Sequence, residues 1–220
     1  MKKSVSITIP TLNEELNIKR CLDSIFRQKF KGRLEVFIVD GGSTDKTLEI
    51  AKTYPVKILR NPYVNAESGK IIGLRAGTGE YFMILDADMD LQGIDWFDKM
   101  LRPLLENQSI AGSFTKFVAK KTDSLLSRYI TIDSIQRDPL FRFLTPDPEQ
   151  VIEDKKPGYW VCKYSPKQIV PAGFCLYRMK QIKELKLHKR KKFMELDTLS
   201  LYLKAGKNHF AYVPSAGIHH

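Results

Sequence analysis

The sequence predicts an α/β fold: a mostly parallel central sheet sandwiched between helices in a three-layer α/β/α arrangement. Three observations carry this. Short β-preferring runs (Val5–Ile9, Leu34–Val39, Tyr81–Leu85) end abruptly at Pro or Asp. Stretches with apolar residues at helical spacing separate them, and strands that alternate with helices imply crossovers covering both faces of a parallel sheet. The 220 residues, 43% hydrophobic, suffice for one well-buried domain.

The first strand, Val5–Ile9, stops at Pro10, and Thr11 or Asn13 is placed to cap a helix whose apolar stripe is Ile18, Cys21, Leu22, Ile25 and Phe26. Leu34–Val39 stops at Asp40-Gly41-Gly42-Ser43. Thr44 or Asp45 then caps a helix over Lys46–Thr53, and Val56–Leu59 is a third strand. A helix through Lys70–Ala76 precedes the apolar run Tyr81–Leu85. Beyond Ile94 the pattern loosens into a helix at Trp96–Leu105 and a strand at Ile110–Ala119. Residues 138–171, rich in Pro, charge and aromatics, read as a long irregular segment or small subdomain, the usual place for specificity loops. Phe174–Tyr177 is a strand, Glu195–Ala205 a helix stopped by Gly206, and Phe210–Val213 the last strand before Pro214 and Ile218-His219-His220.

Composition narrows the partners. No run of eighteen apolar residues is present, and Met1-Lys2-Lys3-Ser4 leads straight into a strand, so neither a membrane span nor a secretory signal is expected. Cys21, Cys162 and Cys175 are few, odd in number and far apart. They point to the reducing cytoplasm and away from a disulfide framework or zinc site. The net charge of +11, densest at Lys186–Lys192, attracts anions. That cluster reads by default as a solvated face or mobile loop. Without a helix-turn-helix, an RNP-type aromatic motif or a Cys/His finger, nucleic acid is the weakest partner, and an anionic membrane surface or a diphosphate fits better.

Three strand ends bring polar groups to one edge: Pro10-Thr11-Leu12-Asn13-Glu14-Glu15, Asp40-Gly41-Gly42-Ser43-Thr44-Asp45 and Asp86-Ala87-Asp88. Ligands of open α/β sheets bind outside the carboxyl ends of the strands. Two carboxylates one residue apart suit a hard divalent cation that carries phosphate oxygens. An Asp-rich turn capping the next element is the bland alternative. Gly41 and Gly42 permit close backbone approach or positive φ. Asp40 is placed to accept hydrogen bonds from an amide-like base or a ribose hydroxyl.

With these elements the chain resembles a family 2 glycosyltransferase of GT-A fold. The likeness rests on Ser6–Glu15 (SITIPTLNEE), Val39–Thr47 (VDGGSTDKT) and Gly79–Asp88 (GEYFMILDAD), and more loosely on Glu195–Gly206 and Tyr212–His220. It implies a single GT-A catalytic domain over 1–220, with a nucleotide-sugar-binding half at 1–110 and an acceptor-binding half at 111–220. It implies an inverting transfer from a UDP- or GDP-sugar donor to a lipid-linked phosphate or glycan, assisted by Mn²⁺ or Mg²⁺. Pro10, Thr11 and Glu14 would border the nucleotide, Asp40 with Gly41 would meet its base, and Asp86 would touch ribose or metal-bound water. Asp88 would ligate the metal through the D-x-D element Asp86-Ala87-Asp88, with His219 as a further metal or diphosphate ligand. Lys70 would face the donor or be a solvated helix lysine.

Relatives place a Glu-Asp pair at the start of the late helix, and here Leu196 interrupts it, so the general base is either Asp197 or Glu195. An acceptor that is already an ionised lipid phosphate would need neither. Lys189–Lys192 would neutralise the leaving diphosphate and close over the donor. Aromatic and basic residues of the middle segment (Arg128, Tyr129, Arg137, Phe141, Arg142, Phe143, Tyr159, Trp160) would serve a lipid-linked phosphate or form a small core. A non-catalytic module that binds sugar nucleotides or membrane is the competing reading, and a sugar-phosphate nucleotidyltransferase is a further one. The latter would call for a Gly-rich, Arg-containing loop where Pro10–Asn13 stands.

Overall fold

A computed structural model describes residues 3–120, 122–125, 128, 144–170 and 176–220, and the side chains of 195–197 lie outside the description. Along the chain run β1 (Ser4–Thr11), α1 (Ile18–Phe26), β2 (Arg33–Asp40), α2 (Thr47–Ala51), β3 (Lys57–Arg60), α3 (Ala66–Ala76) and β4 (Tyr81–Ile84). Then come β5 (Asp90–Leu91), α4 (Trp96–Glu106), β6 (Ile110–Phe117), β7 (Ile152–Lys156), β8 (Tyr159–Lys163), β9 (Leu176–Arg178), α5 (Met179–Glu184), α6 (Glu195–Lys204) and β10 (His209–His219). They fall into two units, Met1–Asp90 with Leu176–Met194, and Leu91–Cys175 with Glu195–His220.

In the first unit the strand order is β3-β2-β1-β4-β9. β1 pairs in parallel with both β2 and β4, so both its edges are hydrogen-bonded in the middle of the sheet, and Val5, Ile7 and Ile9 on one face are fully buried. β2 pairs in parallel with β3, while β9 runs antiparallel to β4. The opposite face of β1 carries Ser6 and Thr8, small enough for a helix to approach closely. Helix α3 takes that place with Gly69 and Gly73 on its facing side and Gly77 as its C-cap. A Cβ on Gly69 would lie 3.2 Å from Pro10, one on Gly73 2.2 Å from Thr8, and one on Gly77 2.9 Å from Ser6. Glycines four apart line one helix face, so α3 can lie along β1 from its carboxyl end backwards.

At the other end of β1, Glu35 ties three elements together. Its carboxylate accepts from Ser6 Oγ (2.8 Å), Thr78 N (2.9 Å), Thr78 Oγ1 (2.6 Å) and Arg33 Nη1 (2.8 Å). Burial pushes this acid up, but the Thr78, Ser6 and Arg33 interactions outweigh it and hold the pKa at about 2.

In the second unit β10 pairs in parallel with β6 and antiparallel with β8, and β8 pairs antiparallel with β7. The described part of the expected irregular segment therefore contains a hairpin, turned at Gly158 (φ +93°), which its Pro and charge content concealed. β7 is exposed along most of its length, so it lacks the apolar alternation that marks a strand from sequence. β10 is also longer than Phe210–Val213, because it continues past Pro214 through a register shift between Tyr212 and Gly217. Pro cannot donate to a ladder and is accommodated at such irregularities. Thr115 Oγ1 serves the displaced carbonyls, at 2.9 Å from Val213 O and 2.6 Å from Ala216 O. Both units combine parallel and antiparallel pairing, so the α/β fold stands with a sheet that is mostly, not purely, parallel.

Candidate functional site

The carboxyl ends of β1 and β2 are level, since Thr11 pairs with Asp40. The two loops that follow are joined by reciprocal hydrogen bonds. Gly41 N donates to Thr11 O (2.9 Å), Asn13 N to Ser43 Oγ (2.9 Å) and Glu14 N to Thr47 Oγ1 (2.7 Å). Glu15 N donates to Asp45 (3.0 Å), and Lys46 N to Glu15 (3.1 Å). Asn13, at φ +55°, gives its side-chain oxygen to Thr44 N (2.9 Å). The expected capping of α1 by Asn13 or Thr11 is thus corrected: the Asn13 side chain joins the two loops, and Thr11 Oγ1 turns back to Ile9 O (3.2 Å). Asp45 does assist the start of α2, accepting from Thr47 N at 2.9 Å.

Asp40 is buried, and its carboxylate is engaged by its own loop. It accepts from Gly42 N (2.9 Å), Ser43 N (3.1 Å) and Ser43 Oγ (2.6 Å). Gly42 takes the positive φ expected of one of the two glycines (+105°), while Gly41 does not. Glu14 is half-buried and accepts from Asn17 Nδ2 (2.9 Å).

The D-x-D element follows β4 on the other side of β1. Leu85 N donates to Thr8 O (3.0 Å), which brings Asp86 out at the same edge. Asp86 and Asp88 are half-buried, and Ala87 between them is buried. Helix α1 braces this loop: Arg20 Nη2 donates to the Asp88 carbonyl, and Arg20 Nε lies 3.5 Å from the buried Asp90 carboxylate. Cys21 Sγ lies 3.8 Å from Asp86 O. Burial above all, with the Asp88 and Asp90 carboxylates beside it, pushes the Cys21 thiol far above its usual range. Neither Arg20 nor Asp90 stood out in the sequence, although Asp90 extends the alternation Asp86, Asp88, Asp90.

Strands in a sheet are about 4.8 Å apart, so β2 and β4, on either side of β1, are separated by roughly 10 Å. Asp40 and the Asp86 loop are therefore placed for two ends of one extended ligand across β1, not for one shared ion. Lys70 follows Gly69, whose close approach to Pro10 sets that end of α3 at the carboxyl end of β1. Lys70 is only 8% exposed, which excludes the solvated-lysine reading.

Pro10, Thr11, Glu14, Asp40, Gly41, Lys70, Asp86, Ala87 and Asp88 all lie in the first unit, and Glu195, Asp197 and His219 in the second. Glu195 and Asp197 stand in the first turn of α6. His219, on β10, is buried, with Nε2 at 3.0 and 3.1 Å from the Asp123 carboxylate. The Lys120 N–H, against the cost of burial, and the His219 ring hold Asp123 below the usual carboxylate range. Tyr159 is buried and donates to Glu106 (2.9 Å), Trp160 is half-buried, and Arg128 is exposed. The other named residues of the middle segment (Tyr129, Arg137, Phe141, Arg142, Phe143), with Phe174 and Cys175, lie outside the described residues.

Among the described residues no three His, Cys, Asp or Glu side chains converge as a complete metal cage. Asp86 and Asp88 supply two hard oxygen donors on a braced loop. That fits Mg²⁺ or Mn²⁺, ions held by one or two carboxylates with the remaining positions left to phosphate and water.

The glycosyl transferase family 2 model matches residues 6–186, which is most of the chain. The chain belongs to that family. Over 96 residues it is 36% identical to a PGL/p-HBAD biosynthesis glycosyltransferase of Mycobacterium bovis, covering 41% of this chain and 37% of that protein. It is 36% identical over 91 residues to the dolichyl N-acetyl-alpha-D-glucosaminyl phosphate 3-beta-D-2,3-diacetamido-2,3-dideoxy-beta-D-glucuronosyltransferase of Methanococcus voltae, covering 38% of this chain and 28% of that protein. The matched stretch thus spans well under half the length of these relatives.

The fold matches solved GT-A glycosyltransferases across the whole chain. S. aureus TarS 1-349 in complex with UDP-GlcNAc superposes with TM-score 0.66 at 18% identity, covering 100% of this chain and 58% of that one. The mannosyltransferase PcManGT from Pyrobaculum calidifontis, solved with GDP-Man and Mn²⁺, gives 0.65 at 18% identity, with 100% and 57% covered. The family 2 likeness and the braced D-x-D loop occupy the same part of the chain.

Proposed function

We propose that this family 2 chain transfers a sugar from a UDP- or GDP-sugar to a lipid-linked phosphate or glycan, with inversion at the anomeric carbon. The observation that carries the proposal is the edge of the first unit, where the joined 11–15 and 40–47 loops and the Arg20-braced Asp86–Asp88 loop flank β1. The solved neighbours support it by the ligands named with them, UDP-GlcNAc in one and GDP-Man with Mn²⁺ in the other. The Methanococcus voltae relative, named for a dolichyl phosphate substrate, supports a lipid-linked acceptor.

In this reading the nucleoside lies at the Asp40 side of β1 and the diphosphate at the Asp86–Asp88 side. Asp40 meets the base by releasing Ser43 Oγ, a hydroxyl free to rotate. Pro10, Thr11, Gly41 and Glu14 form the wall between, and buried Lys70 offers a cation to the diphosphate. Asp88 and Asp86 would hold Mn²⁺ or Mg²⁺, which when bound neutralises charge growing on the leaving group. Glu195 or Asp197 takes the proton of the acceptor hydroxyl. The acceptor oxygen bonds to the anomeric carbon as the bond from that carbon to the diphosphate oxygen breaks, and the nucleoside diphosphate leaves. We place this activity in the cytoplasm, at the inner face of the membrane. Among the described residues Cys21 and Cys162 are both free, buried thiols, which accords with a reducing compartment.

The test is calorimetric titration of the whole chain with UDP- and GDP-sugars, with and without Mn²⁺. Metal-dependent binding of one of them, lost in Asp88→Ala, is expected. If neither binds under any metal condition, sugar transfer is wrong for this chain. Comparing Glu195→Gln with Asp197→Asn then identifies the base, as the variant that loses turnover while keeping donor affinity.

A further inference from the structure

Residues 180–192 hold seven cations, Lys180, Lys183, Lys186, Lys189, Arg190, Lys191 and Lys192, against one acid, Glu184. All seven are exposed. The sequence reads the densest part as a solvated face or mobile loop; its cations are exposed, as on a solvated face, and its backbone is anchored along its length. Arg75 on α3 donates from Nε to His188 O (2.9 Å) and from Nη2 to Arg190 O (2.7 Å). Phe193 N donates to Glu67 O (3.0 Å). The Phe193 ring is buried against Phe82 (6.2 Å between ring centres) and Tyr177 (6.3 Å), and Leu187 is buried as well. Successive turns are closed by Lys186 N to Lys183 O, Lys189 N to Lys186 O and Arg190 N to Leu187 O, each 3.0 Å.

The result is a strap whose apolar residues point in while its cations point out. A mobile basic loop would spread its charges and relax their repulsion, whereas this one is held with seven like charges in thirteen residues. Such a surface gains most from an extended anionic partner that meets several cations at once. Each Lys or Arg near an anionic bilayer contributes about 1 kcal/mol, without any shaped pocket. Stacking on exposed aromatics, which single-stranded nucleic acids use, finds no platform here because Phe193 and Tyr177 are both buried. The exposed apolar side chain at the strap's end is Met194 (49% exposed), suited to the boundary between head groups and acyl chains.

We infer that the strap 180–194 is a docking surface for an anionic lipid bilayer. The surface is independent of sugar transfer, because vesicle binding and donor binding are read separately.

The experiment is co-sedimentation of the full chain with vesicles of phosphatidylcholine alone or mixed with phosphatidylglycerol, at rising salt. Binding to the mixed vesicles only, weakening as salt screens the charges, is the expected result. The K189E/R190E/K191E/K192E variant should bind them roughly tenfold more weakly or worse while melting like the parent. Should that variant melt early, K180E/K183E on α5 replaces it with the same expectation. Equal binding to both vesicle types, no binding to either, or a charge-reversed chain that still binds like the parent overturns the inference. So does a duplex oligonucleotide that displaces the chain from vesicles at equal charge concentration.

Discussion

Arg20 reaches Asp90 at 3.5 Å, and the two ends of this ion pair differ in exposure: the acid's side chain is 4% exposed and the base's 42%. The same guanidinium holds the backbone carbonyl of Asp88. One side chain of α1 therefore fixes the D-x-D loop by its main chain, and the Asp86 and Asp88 side chains on that loop are half-buried.

Arg20→Ala leaves Asp90 buried without its guanidinium and releases the Asp88 carbonyl. Stability should fall by about 1–2 kcal/mol, discounted for the half-exposed arginine. Mn²⁺-dependent donor binding should weaken by roughly tenfold, while Arg20→Lys, which keeps the charge without the fork, falls between. Parental donor affinity in Arg20→Ala would show that the brace is irrelevant to the site.

Asp40 accepts hydrogen bonds from Gly42 and Ser43, so Asp40→Ala removes the organiser of the second loop. A loss of about 1–3 kcal/mol in chemical denaturation is expected from the amides left unpaired. Ser43→Ala should cost about 1 kcal/mol yet keep donor affinity, because the carboxylate stays available to a base. If Ser43→Ala binds donor as poorly as Asp40→Ala, the loop conformation and not the carboxylate makes the contact.

Glu35 supplies a pH signature. Its folded pKa of about 2 lies below the ordinary 4.5, so its contribution is complete above pH 4.5 and is lost as pH falls through 2. The shift corresponds to roughly 3 kcal/mol. Denaturation curves should show Glu35→Gln less stable near neutrality, with a flatter decline between pH 4.5 and 2. Parallel pH profiles for parent and variant would refute the assignment.

Gly73→Ala places a methyl carbon 2.2 Å from Thr8 Oγ1, and no rotation of Thr8 removes the contact with its Cβ at 2.8 Å. Forcing α3 off β1 should cost about 1–3 kcal/mol, of which T8A/G73A recovers part. Thermal melting decides it, since an unchanged midpoint in Gly73→Ala would mean that α3 does not ride on β1 so closely.

The readable features were local. Tyr81–Leu85 and Leu34–Val39 announce strands because their β-preferring runs break at Asp, and the ligand edge follows from where those breaks fall. The glycine track passed unread although Gly69, Gly73 and Gly77 stand four apart, because its meaning depends on the small Ser6 and Thr8 of another element. The hairpin of β7 and β8 was hidden because an exposed, charged edge strand has no apolar alternation. The extension of β10 was hidden by Pro214, whose displaced neighbours are served by Thr115 from a distant strand.

By itself, the chain's order of residues determined the α/β class, the three polar strand ends and the carboxylates suited to a divalent ion. These depend on spacing along one segment, where backbone geometry alone decides which side chains share a face. Only the tertiary structure decided that Asp40 organises its own loop, that Lys70 is buried, that Arg20 braces Asp88 and Asp90, and that Arg75 anchors the basic strap. Each of those depends on partners brought together across long stretches of sequence, and an ion pair or buried lysine takes its character from the surroundings the fold provides.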